Sequence, residues 1–164
     1  RAAWHTQAKN GRRPPRDEVK LAEPGGRAYG IMMHDILSRI TTTDDIDAAV
    51  DNACISGLMP LTGRDTVTRR LREILSLERV KSWFDGSATV MTEATILLPA
   101  GAARRPDRVM ISGDTVTVID YKFGEPSPRH RKQAADYREL LGQMGYTNVK
   151  SWLWYVEKDI IEEA

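Results

Sequence analysis

Apolar and polar positions divide this chain into a helical first half and a strand-rich second half. Residues 1–27 show no apolar period. They hold Gly11, Pro14, Pro15, Pro24, Gly25 and Gly26, so they read as a linker or partly ordered lead-in. From about Ala28 to Ile40, Tyr29, Met33, Ile36, Leu37 and Ile40 recur at helical spacing. The Thr41-Thr42-Thr43 run ends that helix, and Thr43 or Asp44 caps a shorter one reaching Cys54. After breaks at Gly57 and Pro60, the positions of Val67, Leu71, Ile74, Leu75, Leu77 and Val80 predict one long helix from about Asp65 to Trp83.

The pattern then changes period. Residues 88–98 are β-rich and close at Pro99 and Gly101. Two runs rich in β-branched residues follow, ending at Ile111 and beginning at Thr115, with Ser112-Gly113-Asp114 between them. That is a hairpin signal. Pro128 opens a helix running to Met144, with Gly145 as its C-cap. Residues 148–156 read as a last strand, and 157–164 as an exposed acidic tail. Three adjacent strands with short loops form an antiparallel meander, and a crossover helix lets the last strand join in parallel. The expected fold is therefore α/β: a mixed central sheet flanked by helices, carried by residues 28–156.

The hairpin also carries the chemistry. Side chains alternate faces along a strand, so Asp120 and Lys122 share a face with Val116 and Val118. If Gly113-Asp114 form the loop, Ser112 pairs with Thr115 and Asp107 falls opposite Asp120. Opposed like charges with Cβ atoms about 5 Å apart destabilise a sheet, so such a pair calls for a cation. A divalent metal with oxygen ligands, Mg²⁺ or Mn²⁺, meets that need, and Lys122 adds a positive charge close by. Two acids and a lysine around a hard metal are the parts needed to hydrolyse a phosphodiester. Either acid alone would be an ordinary strand-end carboxylate.

Three further positions join the candidates. His34 borders the apolar stripe of the first helix, where a neutral imidazole is either a structural residue or a metal ligand. Glu93 shares a strand face with Thr89, Met91 and Thr95, and would be an outer or second-metal carboxylate if that face is the catalytic one. Gln133 and Tyr137 are four apart on the last helix and so stack on one side, available to fix a water or phosphate.

Net charge narrows the picture little, being only +1, but the basic residues cluster: Arg12, Arg13 and Arg16; Arg69, Arg70 and Arg72; Arg104, Arg105 and Arg108; Arg129, Arg131 and Lys132. The group at 104–108 adjoins Asp107 and is the better phosphate-contact candidate; the others equally suit a solvated surface. Cys54 is the only cysteine, which excludes disulfide frameworks, CxxC zinc sites and a four-cysteine iron–sulfur cluster, and suits a reducing cytoplasm. No apolar run approaches a membrane span. The start at Arg1 rather than Met reads as a fragment of a longer chain.

Taken in order, Gly30-x-x-x-His34, Glu93, Pro106-Asp107, Val118-Ile119-Asp120-Tyr121-Lys122-Phe123-Gly124 and Gln133-x-x-x-Tyr137 resemble the RecB-type branch of the PD-(D/E)xK nuclease superfamily. They look most like the C-terminal nuclease domain of exodeoxyribonuclease V beta-like and AddA-like helicase-nucleases, over about residues 28–156. The resemblance implies a restriction-endonuclease-like fold and a Mg²⁺- or Mn²⁺-dependent deoxyribonuclease. It also implies His34, Asp107, Asp120 and the Tyr121 backbone carbonyl as metal ligands, Glu93 as a further acidic position, Lys122 as the catalytic lysine, and Gln133 and Tyr137 as a DNA-gripping motif. Phe123 stands where the family often has Thr. The implied partners are DNA, as a single strand emerging from a helicase, the N-terminal helicase domains of the same polypeptide, and a second nuclease/helicase subunit. The implied setting is double-strand-break repair and recombination at a bacterial nucleoid, with no membrane. Alternatives are a catalytically inactive module of the same fold that binds DNA or a partner protein, a free-standing exonuclease of the superfamily, and an unrelated α/β protein with a coincidental acid pair.

Overall fold

A computed structural model describes residues 20–92, 96–97 and 103–164. Glu93, the Arg12, Arg13 and Arg16 cluster and the Pro99 and Gly101 breaks lie outside the described residues.

Among the described residues, four α-helices and seven strands follow in chain order. The first three helices are α1 (Arg27–Ser38), α2 (Ile46–Ile55) and α3 (Arg64–Leu75). Then come β1 (Thr89–Thr92), β2 (Ile96–Leu97), β3 (Ala103–Arg104), β4 (Arg108–Ser112) and β5 (Thr115–Lys122). Helix α4 (Pro128–Gln143) leads to β6 (Asn148–Tyr155) and β7 (Ile160–Glu163). Five strands form one sheet in the order β1-β4-β5-β6-β7, while β2 and β3 make a separate two-stranded ladder. The β1–β4–β5 meander is antiparallel and β6 runs parallel to β5 after the α4 crossover, as the connection lengths require.

Alternation along β5 assigns the two faces. Ile119 and Tyr121 join Met110 and Trp154 in a core built on α1, α2 and α3, including Ile36, Leu37, Val50 and Leu71. Val116 and Val118 instead meet Val109, Tyr137 and Leu141 beneath α4. Ala134 of α4 seats on Leu153 and Tyr155 of β6. Helices therefore cover both faces, and the end of β5 emerges between α1 and α4.

Several local expectations change. The long helix stops at Leu75: the Ser76 hydroxyl donates to the Glu73 carbonyl at 2.8 Å, and the chain resumes as a 3₁₀ turn at Lys81–Trp83. Apolar spacing ran through that break because Val80 and Phe84, past the stop, bury into the same core. The cap falls one turn earlier: Thr42 caps a 3₁₀ turn at Thr43–Asp45 that leads into α2, its hydroxyl accepting the Asp44 amide while Asp45 accepts the Thr42 amide. Residues 157–164 are not an exposed tail. A 3₁₀ turn at Val156–Lys158 and Asp159 in the left-handed region (φ 51°) reverse the chain, and β7 pairs with β6 from Ile160 to Glu163. Arg131 holds Glu162 through two contacts of 3.0 and 3.1 Å, and the Ala164 amide donates to the Ser151 carbonyl. The sheet-bearing unit therefore runs to residue 163.

Candidate functional site

The hairpin forms in the expected register. Ser112 pairs with Thr115, and Gly113 (φ 59°) occupies the first loop position, where type II′ hairpins place glycine. Arg108 pairs with Ile119, so Asp107 falls beside Asp120. The two carboxylates exchange backbone contacts. The Asp107 amide donates to Asp120 Oδ1 at 3.1 Å, and the Tyr121 amide donates to Asp107 Oδ2 at 2.8 Å. Each acid thus has one oxygen committed to the backbone. The others face side chains: Asp107 Oδ1 lies 3.4 Å from His34 Nδ1, and Asp120 Oδ2 lies 3.9 Å from Lys122 Nζ.

Asp120 is 4% exposed. Burial first, and then the neighbouring Asp107 charge, push its carboxyl up to about 6 against the opposing pull of Lys122, the Asp107 amide and His34. Lys122 does not offset the pair alone, because its ammonium also donates to Gln133 Oε1 at 3.0 Å. Gln133 Nε2 in turn donates to the Tyr137 hydroxyl at 3.4 Å. Spacing of four on α4 thus produces a chain of contacts from Tyr137 through Gln133 to Lys122 and Asp120.

An open cavity of about 410 Å³ gathers these groups. Asp107, Asp120, Tyr121 and Lys122 form its floor, with Arg27, Ile31 and His34 of α1 on one wall and His130, Gln133 and Tyr137 of α4 on the other. The α1 residues fall at i, i+4 and i+7, and the α4 residues at i, i+3 and i+7, so each set shares one helix face. Phe123 packs edge-on against Tyr29 and His34, with ring centroids 6.0 and 5.1 Å away, and fixes the imidazole's place.

The structure thus brings together His34, Asp107, Asp120, Tyr121, Lys122, Gln133 and Tyr137. It also corrects the arginine assignment. Arg105 lines the cavity, but Arg108 is fully buried on the opposite face, donating to the carbonyls of Ile40, Thr41 and Trp83 at 2.6, 2.6 and 2.5 Å with its guanidinium 4.0 Å from the centre of the Phe84 ring. Buried there, it is out of reach of a phosphate at the cavity. Arg70 and Arg72 pair with Glu157 and Asp47, away from the cavity. The sequence reading missed His130, Arg27 and Ile31; for His130 the available signal was its spacing of three from Gln133.

Among the described residues, no three His, Cys, Asp or Glu side chains stand close enough to form a ready metal group. None of the described helices is long and apolar enough to cross a membrane. A search of curated proteins found no match. The family model of the PD-(D/E)XK nuclease superfamily matches residues 2–164, and its members are usually nucleases that generally use divalent metals such as Mg²⁺. With the mixed five-stranded sheet and an Asp107, Asp120 and Lys122 constellation at one cavity, the chain belongs to the PD-(D/E)XK nuclease superfamily.

Proposed function

We propose that this domain is a Mg²⁺- or Mn²⁺-dependent deoxyribonuclease of the RecB type, acting as the nuclease module of a helicase-nuclease in double-strand-break repair and recombination. The observation that carries the enzymatic reading is the reciprocal Asp107–Asp120 arrangement: a buried carboxylate is held against a second one in an open cavity, beside a lysine shared with Gln133 and the His34 imidazole. The donor chemistry fits a hard divalent cation. Each acid keeps one oxygen outside the backbone exchange, and burial together with the neighbouring Asp107 charge raises the Asp120 carboxyl. His34, Asp107, Asp120 and the Tyr121 carbonyl would hold the ion, with Glu93 as a further acidic position. The bound metal would polarise the scissile phosphate and lower the pKa of its water.

The chain's own residues then have separable tasks. The Lys122 ammonium, held by Gln133 and Asp120, is placed to orient the attacking water or stabilise charge building on the phosphate. Gln133 and Tyr137 position that lysine and grip the strand. Arg27 and Arg105 at the cavity rim suit the phosphates of a single strand. The helicase domains, a second subunit and a bacterial cytoplasm are part of this proposal on the strength of the RecB-like motif order alone.

A second reading is favoured by the missing three-ligand group among the described residues: an inactive module of the same fold that binds DNA or a partner protein without cutting. Incubation of a labelled single-stranded oligonucleotide with the protein in Mg²⁺, Mn²⁺ or EDTA separates the two. Metal-dependent cleavage that disappears in Asp120→Asn and Lys122→Ala supports the enzyme. No cleavage in either metal by a folded wild type supports the inactive module.

A further inference from the structure

Beyond the main cavity, α4 carries a second one of about 510 Å³, lined by Lys122, Arg129, His130, Lys132, Gln133 and Asp136. Lys122, His130 and Gln133 line both cavities, so the two adjoin at these side chains. Arg129 and Lys132 are exposed, and neither side chain has a hydrogen bond or ion pair with a described residue. Asp136 on the same wall is engaged by a partner of its own.

His130 is the pivot. Parallel pairing of β5 and β6 sets Tyr155 beside Lys122, which brings the Tyr155 hydroxyl under α4, 3.0 Å from His130 Nδ1. The Ser127 backbone amide supports that phenol oxygen, and burial keeps the phenol protonated. Taking the phenol as the donor and Nδ1 as the acceptor leaves the ring's proton on Nε2. With Nδ1 tied to β6, the Nε2 edge is the one that faces the cavities. Burial first, and then the Lys122 and Arg129 charges, hold the imidazole below its ordinary pKa, which favours the neutral ring.

We propose that the second cavity is a subsite for a phosphate of the same single strand, flanking the scissile bond, with Arg129 and Lys132 as its cations and His130 Nε2–H as a neutral donor at the junction. The proposal rests on the nuclease reading for its substrate class. It explains why a neutral ring, pinned from below, stands between two groups of cations: a hydrogen-bond donor orients a phosphate where a third charge would only add depth.

Equilibrium binding of a fluorescent single-stranded oligonucleotide in EDTA, measured across a salt series, tests this without requiring cleavage. Arg129→Ala with Lys132→Ala should weaken binding and reduce the slope of log affinity against log salt by about 0.7, the loss of one single-strand phosphate contact. His130→Ala should weaken binding about three- to tenfold with the slope unchanged, since a neutral donor releases no counterion. His130→Gln, which keeps an N–H donor, should recover part of that loss. Unchanged affinity in the double variant, or a slope change in His130→Ala, overturns the proposal. A wild type that binds with this pattern yet never cleaves in Mg²⁺ or Mn²⁺ overturns the nuclease reading and leaves the subsite standing.

Discussion

Two buried charges sit on adjacent strands of one hairpin and are treated in opposite ways. Arg108 on β4 faces the α1–α3 side, fully buried, with three backbone carbonyls and an aromatic ring around its guanidinium. Asp120 on β5 faces the α4 side, also buried, but its nearest acidic neighbour raises its cost and its cation is shared with Gln133. The first charge finds backbone acceptors for both terminal guanidinium nitrogens within the folded chain, its buried Nε having no partner among the described residues, and it ties the end of α1 and the Lys81–Trp83 turn to the sheet. The second is left short. A buried charge held by the chain's own groups is architecture; a raised carboxylate crowded by a second acid at an open cavity is what the proposed metal would complete.

The largest effect expected from breaking this contrast is at Arg108. Arg108→Ala leaves the Ile40, Thr41 and Trp83 carbonyls without their donor and opens a cavity, and should cost on the order of 4 kcal/mol in denaturant unfolding. A loss near zero would mean the guanidinium is not what secures those elements.

Asp120→Asn should act in the other direction on stability and decisively on activity. Removing the uncompensated carboxylate should raise stability in EDTA by about 2 kcal/mol at neutral pH, while cleavage falls by about a thousandfold or more. A variant both less stable and still active would contradict the reading of this side chain. The pH dependence sharpens it. Because the folded carboxyl is raised from 3.8 to about 6, the folded state holds this proton longer than the unfolded chain does. Its contribution is most favourable below the unfolded value, declines as pH rises through that window, and stays at its least favourable level above it. Subtracting the Asp120→Asn stability curve in EDTA from that of the wild type should reveal this decline; a flat difference between pH 4 and 6 would remove the raised carboxyl.

Gln133→Ala should have a smaller effect. Freed of its amide partner, Lys122 keeps its charge but loses its placement, so cleavage should drop about tenfold, with substrate affinity changing less than turnover. The smallest effect belongs to Arg131→Ala, which loosens an exposed pair with Glu162 on β7. It should leave cleavage unchanged and lower the melting temperature only slightly.

The site was legible where local rules act alone. The β4–β5 hairpin needs only a two-residue loop and alternation to place Asp107 against Asp120, and α4 needs only its helical period to stack Gln133 and Tyr137. What escaped depends on contacts distant in sequence. His130 gains meaning from Tyr155, which reaches it only once β6 pairs in parallel with β5. Strand β7 is four residues long, two of them acids, and its turn uses Asp159 in place of the glycine that would have announced it. Arg108 illustrates a different failure. Alternation puts it on the face opposite Asp107, but grouping it with Arg104 and Arg105 by proximity along the chain ignored that face.

The most direct measurement is the thermal unfolding of wild type and Asp120→Asn at pH 7 in EDTA and in millimolar Mg²⁺ or Mn²⁺. If the Asp107–Asp120 pair is built to be completed by a divalent cation, the metal raises the wild-type melting temperature by several degrees and leaves the variant where it was. Equal shifts in both proteins, or no shift in the wild type, would contradict it.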